Sequence, residues 1–100
     1  MSKKSKHHST RLYALRVQDG FTVIGYARRE DFKKGGFIRV TGYTIVPTKY
    51  LVSESLSNPL SVRLGFGEVA RKAYSQFPQS DDPMKIPLNS LTGKVLLKGL

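Results

Sequence analysis

The sequence predicts an α+β domain: a small, mainly antiparallel sheet of four to five strands with one helix ending near residue 77. Three observations carry this. Two alternating segments, Arg11–Val17 and Phe21–Arg28, are separated by Gln18-Asp19-Gly20, and Asp-Gly accepts the positive φ of a tight reversal. Phe37–Val46 is a long run rich in Ile, Val, Thr and Tyr. Val62, Phe66, Val69, Ala70, Ala73 and Phe77 then recur at the spacing of one helical face, ahead of Pro78.

Residues 1–10 hold no apolar residue after Met1, so they bury nothing that offsets the entropy of ordering; they read as a flexible basic arm. Residues 11–100 read as one small domain. In the opening hairpin, Tyr13, Leu15 and Val17 share one face, with Leu12, Ala14 and Arg16 on the other. The polar stretch Arg28–Gly36 ends in paired glycines and reads as a loop or one short helical turn. Gly42 within the third strand suggests a bulge or bend, and Pro47 stops its pairing. Tyr50–Val52 reads as a short fourth strand.

Residues 57–66 are ambiguous. Ser57-Asn58-Pro59 is a helix-start signature, while Leu60, Val62, Leu64 and Phe66 alternate as in a strand. The strand reading gives the alternative architecture, a small β-barrel of the OB or SH3-like kind. Seven of the fifteen positions 86–100 are Ile, Leu or Val, too apolar to dangle in water. That segment must be buried, either on its own sheet, with Val95–Leu97 as a closing strand, or against a neighbouring subunit.

Composition narrows the chemistry. The 100 residues carry 17 Lys or Arg against 7 Asp or Glu, a net charge of +10. Residues 1–50 hold eleven of those cations against three acids, a balance of +8, whereas residues 51–100 balance at +2. So lopsided a field points to a polyanionic partner. There is no cysteine, so disulfides, thiolate metal sites and thiol nucleophiles drop out. The two histidines, His7 and His8, sit in the arm with nothing to supply further ligands, and no metal or cofactor is expected. The acid pairs Glu30-Asp31 and Asp81-Asp82 sit in predicted turns, where solvation outweighs a catalytic dyad. No phosphate-binding glycine loop is present. An enzyme is not expected.

No apolar run exceeds Leu12–Leu15, so neither a membrane partner nor a secretory signal is expected; the cytoplasm or a virion is the expected location. Tyr13, Phe21, Tyr26, Phe37 and Tyr43 are interleaved with cations, the mixture that holds nucleic acid by stacking bases and pairing phosphates. The expected function is therefore non-enzymatic binding of nucleic acid, DNA or RNA, with low sequence specificity. The expected contacts are Lys3, Lys4 and Lys6 in the arm, then Arg11, Arg16, Tyr26, Arg28, Arg29, Lys33, Lys34 and Arg39. The alternative is a structural or assembly protein, a virion component or small ribonucleoprotein subunit forming homo-oligomers or larger assemblies, whose arm reaches packaged nucleic acid.

Overall fold

The computed structural model describes residues 10–57 and 66–97. The chain runs β1 (Thr10–Val17), β2 (Phe21–Arg28), α1 (Asp31–Lys34), β3 (Phe37–Pro47), α2 (Thr48–Ser57), α3 (Phe66–Gln76), β4 (Met84–Pro87), a 3-10 turn (Leu88–Ser90) and β5 (Leu91–Leu96). All ladders are antiparallel, in the order β4-β3-β2-β1-β5. The fold is α+β, and the sheet is not closed.

The β1–β2 hairpin turns on Gly20 at φ 90°, whose N–H donates to the Val17 carbonyl at 3.1 Å. That geometry favours glycine, because a Cβ is strained at positive φ. The bulge expected at Gly42 is present. Ile24 pairs with Thr44 and Tyr26 with Thr41, so β3 spends one extra residue there, and Gly42 takes φ 54°. The extra residue flips the faces of β3. Ile38 and Val40, before the bulge, join one apolar cluster; Val46, after it, joins the other.

Those two clusters explain the architecture. In the first, Ala14, Ile24 and Val46 of the sheet pack against Leu51 of α2 and Val69, Ala70 and Ala73 of α3. The spacing of the α3 residues is the helical face read in the sequence. The second cluster contains Tyr13, Leu15, Val23, Ile38, Val40 and Ile86, all from strands, with Phe32 of α1 and Leu88 packed against it. Among the described residues no second layer covers this face, and the sheet buries it by curling on itself. The connection from β4 to β5 enforces the curl. The two strands lie at opposite edges of the sheet, yet three 3-10 residues join them, spanning only about 6 Å. The Leu88 N–H donates to the Gly36 carbonyl and the Gln18 N–H to the Ser90 carbonyl, pinning the turn at both ends.

The short strand expected at Tyr50–Val52 is instead part of helix α2. Only Leu51 of that trio is fully buried, while Tyr50 and Val52 are exposed, so the β-prone trio has one side chain in the core and no strand among the described residues to pair with. The helix is anchored by the Thr48 N–H donating to the Gly20 carbonyl and by a 2.7 Å hydroxyl contact between Thr48 and Thr22. The ambiguous residues 58–65 and the basic arm up to residue 9 lie outside the described residues. The apolar C-terminal segment packs on its own sheet: β5 pairs with β1, Leu97 is buried, and the Leu97 N–H donates to the Leu12 carbonyl at 2.8 Å.

Candidate nucleic-acid interface

The helices cover the outer face of the sheet only in part. Beyond them, that face presents Thr10 of β1, Tyr26 and Arg28 of β2, Phe37, Arg39 and Thr41 of β3, and Lys85 of β4. Register places them together: Thr10 is opposite Arg28, Tyr26 opposite Thr41, and Arg39 opposite Lys85. Phe37 is 58% exposed and Tyr26 41%, high values for aromatic rings in a domain short of apolar material. Lys85 Nζ lies 5.6 Å from the Phe37 ring centroid, within cation–π range. Tyr26 meets Tyr74 of α3 edge to face, with ring centroids 6.3 Å apart. Tyr74 is fixed in turn by its hydroxyl, which donates to the Gly42 carbonyl at 2.6 Å, so the bulge sets the position of the aromatic pair.

The cations of this face differ in their partners. Arg28 is held by Asp31 at 3.2 Å and by Glu30 at 3.7 Å, which offsets much of its charge. Among the described residues no carboxylate lies within 4 Å of Arg39 or Lys85. Two like charges directly opposite on a sheet repel, so this pair is not a source of stability. The shallow cleft between Tyr26, Arg28, Arg39 and Thr41 has a volume of about 360 Å³.

Burial shifts one ionisable group at the site. The Tyr74 phenol is raised above its ordinary value, mainly by burial and secondarily by the adjacent Tyr26 phenol.

The other residues expected from the sequence fall elsewhere. Lys3, Lys4 and Lys6 lie outside the described residues. Arg16 is absorbed into packing: its guanidinium lies 5.1 Å from the Phe66 ring centroid, and its Nε is buried without a hydrogen-bond partner. A Cβ on Gly93 would stand 2.8 Å from Arg16 Nη2, so glycine makes room for the stacked side chain. Arg11 is exposed but pairs with Ala27, on the inner face with the strand cluster. Arg29 precedes α1, Lys33 and Lys34 end it, and all three are exposed. Of the expected set, the sheet face thus gathers Tyr26, Arg28 and Arg39. Phe37 and Lys85 complete it.

Lys85 could not be placed from the sequence, because only long-range pairing with β3 brings it opposite Arg39. Phe37 had a signal, since it begins a strand beside paired glycines and cannot share the inner face with Ile38. Among the described residues no three His, Asp or Glu gather as metal ligands, and no helix is long and apolar enough to cross a membrane. No known family, curated protein or solved structure matches this chain.

Proposed function

We propose that the protein is a non-enzymatic binder of single-stranded nucleic acid, with bases stacking on Phe37 and Tyr26 and phosphates engaged by Arg39, Lys85 and the lysines of the arm. The observation that carries this reading is the Arg39–Lys85 pair, with no carboxylate of the described residues within 4 Å, flanked by exposed rings on one sheet face. A ring accepts any base, and a cation accepts any phosphate, so recognition of this kind has little sequence preference. An open sheet face suits splayed, unstacked bases better than a duplex, whose bases are already stacked.

Fluorescence anisotropy of a labelled single-stranded oligonucleotide over a salt series tests it. With about six phosphates engaged, log K falls against log salt with a slope near −4. Phe37→Ala removes one stacking platform, worth about 1–3 kcal/mol, and leaves the slope unchanged. Binding insensitive to salt, or insensitive to the loss of Phe37, contradicts the reading.

A second reading, a structural or assembly subunit, is favoured by one observation. A mainly apolar cleft of about 620 Å³ opens between β4 and the ends of β1, β2 and β3, lined by Val17, Phe21, Val23, Ile45, Met84 and Ile86, with Lys85 also on its wall. Phe21 and Ile45 are both 43% exposed at its edge. Light scattering separates the readings: assemblies larger than a dimer support the second.

A further inference from the structure

The cations around α1 do not belong to the sheet face just described. Arg29 and Lys33, one helical turn apart in sequence, line a separate cleft of about 320 Å³ with Lys94 of β5, between walls made by Tyr13, Phe32 and Leu96. Lys94 is held in place. Its Nζ sits 4.3 Å from the centroid of the Phe32 ring, and Phe32 is itself locked edge to face against the buried Tyr13 ring at 4.9 Å. A cation fixed this way loses little freedom on meeting an anion, which favours binding. No carboxylate among the described residues lies within 4 Å of Arg29, Lys33 or Lys94.

Resting on the reading of the protein as a nucleic-acid binder, we infer that this cleft is a binding site for a terminal phosphate monoester of a nucleic-acid strand. The argument is one of charge and enclosure. An internal phosphodiester carries a single negative charge and keeps two substituents, so it runs along an open surface. A phosphate monoester carries about −1.5 to −2 and offers three free oxygens, matching three cations gathered in a cleft. Arg29 can fork onto two of those oxygens while Lys33 and Lys94 act as point charges on the rest. The walls leave one side open, where the esterified sugar leaves the cleft.

The test uses the full chain and three otherwise identical single-stranded octamers, ending in a 5′-phosphate, a 3′-phosphate or hydroxyl groups only, measured by calorimetry at constant ionic strength. One phosphorylated octamer should bind about tenfold tighter than the hydroxyl octamer, the ratio that ~1.4 kcal/mol produces. Inorganic phosphate should erase the preference. K94Q should abolish the ratio, and K94R, which keeps both the charge and the contact with Phe32, should retain it. Should K94Q prove unfolded by circular dichroism, R29Q on the exposed loop supplies the same reading. F37A should weaken all three octamers and leave the ratio intact. Equal affinity for all three octamers, with salt-dependent binding preserved, overturns the terminal-phosphate site and leaves the proposed function standing. Absence of binding by every octamer overturns both.

Discussion

Arg39 and Lys85 stand directly opposite each other across β3 and β4, two cations with no carboxylate of the described residues within 4 Å. A sheet optimised for stability would put an acid at one of these positions, since an opposite-charge pair there contributes about 0.2–1 kcal/mol. K85E tests whether the repulsion serves binding. The variant should melt at a higher temperature than the wild type, because it gains a cross-strand ion pair. It should also bind single-stranded oligonucleotide at least tenfold more weakly, as about 1.4 kcal/mol of phosphate attraction disappears. Loss of both stability and binding would mean that the lysine is simply structural.

The bulge in β3 leaves no space opposite it. A Cβ at Gly25 of β2 would lie 2.7 Å from Tyr43 Cβ and from Val40 Cγ1, and 2.9 Å from Tyr43 Cα. Since one of the obstructing atoms is backbone, a rotamer change does not relieve the overlap. G25A should therefore destabilise the domain by about 1–3 kcal/mol, the usual range for overpacking. Urea unfolding followed by circular dichroism reads this as a lower midpoint at unchanged slope.

The Tyr74 hydroxyl links α3 to the bulge through the Gly42 carbonyl. Y74F deletes that hydrogen bond and should cost about 0.5–1.5 kcal/mol at neutral pH. The phenol is raised above its ordinary value in the folded protein, chiefly by burial. Its stabilising contribution is then complete below the unfolded value of about 10 and is lost as pH rises through the folded value. The stability gap between wild type and Y74F should be constant from pH 6 to about 9 and narrow above about 10. A gap that widens at high pH refutes the assignment.

Deleting Gly93–Leu100 removes most of β5, including the pairs of Val95 with Ala14 and Leu96 with Tyr13, and the buried Leu97. The helix-side cluster loses Val95 and Leu97, and β1 loses most of the strand that pairs with it on that edge. The truncated chain should lose cooperative thermal unfolding. Retention of a sharp transition would show that the segment is dispensable to the domain.

What the sequence revealed follows the range of the interactions. The hairpin, the turn at Gly20, the bulge at Gly42 and the helical face from Phe66 to Phe77 are encoded by neighbours, and each is where local pattern put it. Leu51 shows the limit. The trio Tyr50–Val52 is apolar and β-prone, but its position is decided by Thr48 meeting Thr22 and Gly20, contacts more than twenty residues away. The candidate interface divides the same way. Tyr26, Arg28 and Arg39 lie on consecutive strands and were legible as a basic, aromatic group. Lys85 and Lys94 come from the two edge strands, and only long-range pairing sets Lys85 opposite Arg39 and Lys94 opposite Leu15, on the other face. Arg16 was misleading for a related reason: charge is visible in a sequence, but the ring of Phe66 that covers it is not.

Mapping a short, unphosphorylated single-stranded oligonucleotide onto the ¹⁵N-labelled protein by NMR titration tests the central claim most directly. The account predicts saturable shifts centred on Tyr26, Phe37, Arg39, Thr41 and Lys85, diminishing as salt is raised. Shifts centred instead on Phe21 and Ile45 at the apolar cleft, or no saturable shifts at low salt, would contradict it.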